Sequence, residues 1–383
     1  MKLFNVYPLL PINIVKAQNC HVWDEKGTQY LDFYGGHAVI SVGHSHPYYV
    51  EKIKNQLDKI GFYSNSVINK LQEELAEKLG KISGYEDYAL FLCNSGAEAN
   101  ENALKTASFA SGKKKFITFS DSFHGRTSAV VAATDDKTII APVNETENFI
   151  FVEFNNTEEF IKVFNENKED LAGVIVEGIQ GIGGINIPTE EFFTTIEKLC
   201  TENSIYFICD EIQSGYGRSG KFFAHQYFNV KPDIITTAKG MANGFPIGGV
   251  LISPKIEAKA KMLGTTFGGN HLACGAAIAV LDILETNNLI QQTFEKGLYL
   301  QEKLENISGI SGIRIKGLLA AIDFEIPSSQ VSRIIREDFK ILTGNASNSN
   351  TMRLLPPLTI SKEEIDEFAE ALQKSLKKLL VHS

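Results

Sequence analysis

Asp233-Ile234-Ile235-Thr236-Thr237-Ala238-Lys239-Gly240-Met241-Ala242-Asn243-Gly244 reads as a short apolar strand that stops where a lysine begins. Upstream, Ile205-Tyr206-Phe207-Ile208-Cys209 is a second such strand, and it delivers Asp210-Glu211 at its own carboxyl end. Neither run alternates apolar with polar residues, so both faces are expected to be covered, as in a mostly parallel sheet between helices. Residues 88–92, 116–119, 171–176 and 249–252 have the same character, with helical stretches between them. This pattern predicts an open α/β sheet. In such sheets ligands sit in the crevice at the carboxyl ends of the strands, which is where Lys239 and Asp210 fall.

The remaining elements sort around that core. Residues 13–34 predict a β-hairpin turning at Glu25-Lys26-Gly27, and 48–60, 69–80, 272–285 and 290–306 predict helices. The C-terminal part carries strands near 313–325 and helices at 328–340 and 361–380. The expected organisation is a large domain over 48–285 and a smaller α+β domain assembled from both termini, 1–47 and 286–383.

Composition narrows the class. The chain has 383 residues, 43% hydrophobic and 22% charged, with a net charge of −9. That is an ordinary globular balance, long enough for two domains, and its sign argues against a nucleic-acid surface. The five cysteines (Cys20, Cys93, Cys200, Cys209, Cys274) form no C-x-x-C pair, and at least three lie in apolar runs. Buried thiols in a reducing cytoplasm are expected instead of disulfides or a zinc site. Asn5 and Pro8 interrupt the start too early for a signal-type apolar run. No stretch reaches the ~18 apolar residues of a membrane span.

The strand-end residues suggest a chemistry. Pyridoxal 5′-phosphate (PLP) needs an amine to form a Schiff base and a carboxylate to keep its pyridine nitrogen protonated. Lys239 and Asp210 supply that pair. Asn94-Ser95-Gly96-Ala97-Glu98-Ala99-Asn100 follows a strand and opens an Ala-rich helix, where small residues and the helix dipole suit a phosphate. A plain capped helix start is the alternative reading of these residues. In Ser122-Phe123-His124-Gly125-Arg126-Thr127 a ring is available to stack on a pyridine and a guanidinium to bind a carboxylate.

Taken together, six blocks resemble the class III (ω-type) aminotransferases of PLP fold type I. They are Gly43-His44-Ser45-His46-Pro47, Ser95 to Asn100, Phe123 to Thr127, Asp210-Glu211-Ile212-Gln213-Ser214-Gly215-Tyr216-Gly217-Arg218, Ala238-Lys239-Gly240 and Thr265-Thr266-Phe267-Gly268-Gly269-Asn270. Their order and spacing span nearly the whole chain, and within the class it looks most like the acetylornithine and succinylornithine enzymes. The resemblance implies that Lys239 is catalytic and holds the cofactor covalently. It implies that Asp210 binds the pyridinium and Gln213 the ring's phenolic oxygen. Ser95, Gly96 and Ala97 would hold the phosphate, and Phe123 would stack on the ring. Thr266 would reach the phosphate of a neighbouring subunit, making a homodimer with composite active sites. Arg126 and Arg353 would bind substrate carboxylates, with His37 and Glu177 at the substrate site. The implied reaction moves the terminal amine of an N-acylornithine onto 2-oxoglutarate, in arginine biosynthesis. Free ornithine, succinyl-diaminopimelate, 4-aminobutyrate, an aminomutase of the same fold, and an inactive PLP-fold binding protein are the alternatives.

Two positions depart from the family pattern. Ile182, in Glu177-Gly178-Ile179-Gln180-Gly181-Ile182, stands where these enzymes usually carry a glutamate that masks the arginine matching Arg353. His37, in Phe33-Tyr34-Gly35-Gly36-His37, occupies a commonly apolar position, and an imidazole there suits a succinyl cap as well as an acetyl one. Other patterns are set aside. Gly181-Ile182-Gly183-Gly184 lacks the third glycine of a dinucleotide fingerprint, since Asn186 takes that place. His44 and His46 have no matched ligand pair, so no metal site is expected. Gly215 to Gly220 lacks the Lys-Ser/Thr of a P-loop. Lysines 113–115 are expected at a solvated helix end.

Overall fold

The computed structural model describes residues 1–380. Three antiparallel strands open it: β1 (Ile14–Gln18), β2 (His21–Asp24) and β3 (Gln29–Asp32). The hairpin turns at Glu25-Lys26-Gly27, but a further strand precedes it, because Asn19 takes a left-handed φ of 51° and reverses the chain once more.

The central sheet has seven strands: β4 (Ala89–Cys93), β5 (Lys115–Phe119), β6 (Phe149–Val152), β7 (Leu171–Glu177), β8 (Tyr206–Asp210), β9 (Ile234–Thr237) and β10 (Gly248–Ile252). Their order is β4-β10-β9-β8-β7-β5-β6. The five strands from β9 to β6 are parallel, and β10 runs antiparallel to both β9 and β4. β6 is not foreseen in the sequence. It is a four-residue edge strand with only Val152 fully buried, too short for its pattern to stand out.

A third sheet, of order β11-β12-β15-β14, is built from β11 (Gly312–Lys316), β12 (Leu319–Asp323), β14 (Gly344–Asn345) and β15 (Thr351–Leu354). Between them, β13 (Ile341–Leu342) pairs in parallel with β3, so residues from the C-terminal part complete the N-terminal sheet. Arg218 ties these parts together. It is buried, and its guanidinium donates to the carbonyls of Leu318, Pro356 and Ile40.

Parallel register places the chemistry. Glu177 ends β7 opposite Asp210 at the end of β8, and Asp210 lies opposite Thr236 on β9, three residues before Lys239. Three strand ends therefore present an acid, an acid and an amine along one edge. Val174, Ile175, Ile208, Ile234 and Ile235 are fully buried behind them, each side chain contributing about 1.5–3 kcal/mol. The helix Gly96–Ser111 ends on Gly112, whose φ is 70°. The lysine run therefore lies beyond that helix and not at its end, with Lys115 opening β5 and paired to Asp170 at 3.0 Å. Among the described residues no single helix is long and apolar enough to cross a membrane. All five cysteines are free and buried.

Candidate active site

A cavity of about 410 Å³ opens at the carboxyl ends of β7, β8 and β9. Lys239, Asp210, Gln213, Glu177, Ser95, Gly96, Ala97, Phe123 and Arg126 all line it. Arg353 adjoins it through Gln213, while His37 and Thr266 are not among its lining residues.

Lys239 begins the short turn Lys239–Ala242 with a φ of 44°, a strained value for a residue with a side chain. That turn is stitched to the N-terminal segment. Asn243 Oδ1 accepts from Ser41 N (2.9 Å) and Val42 N (3.0 Å), and Ser41 Oγ donates to Gly240 O at 2.8 Å. Burial is the main reason the Lys239 ammonium is pulled down to about 8, and Arg353 adds to it, against the opposing charges of Asp210 and Glu177.

Asp210 is 4% exposed and held by three donors: Asn100 Nδ2 at 2.6 Å, His124 Nδ1 at 2.8 Å and Ile212 N at 3.0 Å. Asn100 is itself aligned by Thr236 Oγ1 at 2.6 Å and gives a second hydrogen bond to His124 O. The other ring nitrogen of His124 is buried without a partner among the described residues. A proton on Nδ1 serves Asp210. Asn100, His124 and Thr236 were given no role from the sequence. The available signal was Asn100 itself, an amide one turn into a helix whose buried face is otherwise mostly alanine.

At the cavity's other end the helix Gly96–Ser111 points its N-terminus inward, with Ser95 capping Glu98 N at 3.2 Å. This donor set fits a phosphorylated pyridine. The helix N-terminus would hold the phosphate, the fixed carboxylate the ring nitrogen and the aromatic side chain the ring, and the amine would supply the Schiff-base nitrogen.

The substrate side is more polar. Arg353 on β15 is 2% exposed, donates from Nε to Asn345 O and from Nη1 to Gln213 Oε1 (3.0 Å), and has no carboxylate partner among the described residues. Burial brings it down to about 10, against Tyr34 and Glu177. Ile182 accepts a backbone hydrogen bond from Ser347 N at 2.9 Å. Arg126 is exposed, with no ion pair among the described residues. His37 sits against Tyr34, whose hydroxyl is 2.6 Å from Nδ1, and its carbonyl takes Gln213 Nε2 at 3.3 Å. Burial first, then the charges of Lys239 and Arg353, hold the His37 imidazole below its usual value. Thr266 is exposed on the loop after Thr265 and does not line the cavity of its own chain.

Behind the site, Cys209, Glu211 and His225 lie close enough to suggest a metal cluster. The Glu211 oxygens are already taken by Ser214 Oγ, Ala224 N, His225 N and His225 Nδ1, and His225 Nε2 meets Tyr85 at 2.6 Å. The cluster satisfies itself.

The family model described as aminotransferase class-III matches residues 5–376. The acetylornithine aminotransferase of Bacillus subtilis is 42% identical over 389 residues, covering 99% of this chain and 98% of that protein. The acetylornithine aminotransferase structure from Elizabethkingia anophelis superposes with a TM-score of 0.86 at 30% identity, over 97% of this chain and 96% of that one. The ornithine aminotransferase of Toxoplasma gondii, with PLP at partial occupancy in its active site, gives a TM-score of 0.90 at 27% identity, over 99% and 93%.

Proposed function

Because this chain belongs to the class-III aminotransferases, we infer that it is a PLP-dependent enzyme that transfers the terminal amine of an N-acylornithine to 2-oxoglutarate. The products are the N-acylglutamate 5-semialdehyde and glutamate, in arginine biosynthesis. The acyl cap makes chemical sense, since a free α-amine would let the aldehyde cyclise. The observation that carries the reading is the placement of Lys239 beside Asp210, itself fixed by His124 and Asn100. PLP, when bound, supplies an electron sink that stabilises charge at the carbon losing its proton. The chain does the rest. Lys239 Nζ, neutral above about pH 8, takes and returns that proton. Asp210 would hold the proton on the ring nitrogen. Arg353 binds the α-carboxylate of glutamate and 2-oxoglutarate, and Arg126 the far carboxylate, each with a planar fork suited to that group. With Ile182 in place of an acidic partner, Arg353 stays open to carboxylates from both substrates.

We further propose a cytoplasmic homodimer. Thr266 is exposed beside Phe267, itself 59% exposed, which suits a residue that completes the cavity of a second copy.

Single-turnover spectroscopy of the PLP-loaded protein tests the substrate. N-acetylornithine, N-succinylornithine and free ornithine are offered in turn. Conversion to the pyridoxamine form by an acylated donor is expected, and Lys239→Ala should bind PLP yet lose turnover. Fastest reaction with free ornithine would replace the biosynthetic reading by a catabolic one. A succinyl preference is the second reading, favoured by the Tyr34–His37 pair, which offers polar hydrogen bonding close to Arg353.

A further inference from the structure

We propose that Glu177 is a positioning residue, whose carboxylate clamps together the two loops that shape the cofactor cavity: the one carrying Phe123 and the one at Gly181, which packs on Gln213. The proposal rests on the reading of that cavity as a PLP site.

Glu177 and Asp210 lie side by side at the ends of β7 and β8, yet their carboxylates face different partners. Asp210 takes side chains. Glu177 takes backbone, Oε1 accepting from Phe123 N at 3.0 Å and Oε2 from Gly181 N at 2.8 Å. The residue is 5% exposed, so with one oxygen on each loop its reach towards a substrate is small.

The first loop is gripped at several points. His124 N is held by Thr134 Oγ1 at 2.9 Å, His124 O by Asn100, and the His124 ring by Asp210. None of these touches Phe123, whose own backbone hold is Glu177. The second loop matters for a steric reason. A Cβ built on Gly181 would stand 2.1 Å from Gln213 Oε1, so the Gly181 backbone packs directly on that amide. The same Oε1 accepts from Arg353 Nη1. Fixing Gly181 N therefore sets Gln213, and through it Arg353.

The clamp has a pH sense. Two charge-assisted N–H bonds require the carboxylate form; a protonated oxygen presents a hydrogen to an N–H and loses that bond. Burial and Asp210 push Glu177 up to about 7, against His124 and its two backbone donors. Lys239 and Arg353 also face it. The clamp is complete above that value and loosens as pH falls through it.

The test uses pyridoxamine 5′-phosphate, which binds without a covalent bond to Lys239. Its affinity for the cofactor-free full-length protein and for Glu177→Gln is measured by fluorescence from about pH 8.5 to about pH 6. Titrations of the ligand are common to both proteins and cancel in the ratio of dissociation constants, while the substitution also lowers Lys239, whose ammonium Glu177 favours. The expected ratio is about tenfold at the alkaline end, shrinking several-fold at the acidic end. A variant that melts earlier but shows a ratio near one at every pH would make Glu177 structural only and overturn the proposal. Amide exchange adds an arm that needs neither the variant nor the ligand. Phe123 and Gly181 should be protected in the unsubstituted protein and lose protection below about pH 7, after correction for intrinsic exchange. Unchanged protection there would sink the clamp. Failure of the unsubstituted protein to bind the probe would instead count against the PLP reading.

Discussion

Lys239 starts from the 10.5 of a solvated lysine, and burial inside the cavity brings it to about 8. The sign of the consequence is direct. In the role proposed for it the neutral amine is the nucleophile, so its reactivity rises with pH through about 8 and is lost as pH falls below that. The rate at which PLP is trapped on the cofactor-free protein by borohydride, read by mass, should have its midpoint there. A midpoint above about 10, the ordinary lysine range, would show that the amine is not desolvated. Asp210 works in the opposite direction, since its charge favours the ammonium. Asp210→Asn should therefore move the midpoint further down, and an upward move would contradict the electrostatics drawn here.

At the scale of the element, the segment after β3 is the most strained stretch near the site. Gly35, Gly36, His37 and Ala38 have φ values of 54°, 56°, 66° and 65°, a full left-handed turn in which two residues carry side chains. Asp32 Oδ1 holds its start by accepting from Tyr34 N (3.0 Å) and Gly35 N (2.8 Å). A left-handed residue with a Cβ costs about 1–2 kcal/mol. Gly36 isolates that term, because a Cβ there would meet nothing within 4 Å. Gly36→Ala should destabilise the fold by about 1 kcal/mol in denaturant titration; a negligible change would mean that the turn adapts freely. This turn also marks a limit of sequence reading. Residues 33–37 name a glycine pair and a histidine, but nothing local announces four left-handed residues in a row, which are held by Asp32 and by packing against Leu355. Lys239 and Asp210 were legible for the opposite reason: strand-end position is a local property of an apolar run followed by a polar residue. His124 and Asn100 stood in quoted motifs without a role, because their contacts with Asp210 join residues 86 and 110 positions apart. Strand β6, short and half-covered, left no periodicity to find.

The surface of the whole molecule bears on the proposed dimer. Leu57, Tyr63, Val67 and Ile68 are well exposed, at 62%, 58%, 51% and 77%. Phe62 packs its ring 5.3 Å from that of Phe267, and Asn65 Nδ2 bonds the carbonyls of Thr265 and Gly268 at 3.2 and 3.0 Å. The 57–68 segment and the Thr265–Gly268 loop therefore form one continuous surface, on which exposed apolar side chains are interspersed with Asp58, Lys59, Ser64, Asn65, Ser66 and Thr266. A cluster of exposed large apolar side chains rimmed by polar ones is the kind of surface that marks an interaction face. A second copy covering it would remove Ile68 and Phe267 from water together and bring Thr266 towards another cavity. The two effects should then be linked. Ile68→Asp, which plants a charge in the face without touching the cavity, should shift the protein towards monomer in sedimentation and weaken PLP binding at the same time. Thr266→Ala should leave the dimer intact and weaken PLP binding alone. A monomeric Ile68→Asp variant with full PLP affinity would separate assembly from the site, leaving Thr266 without its proposed reach.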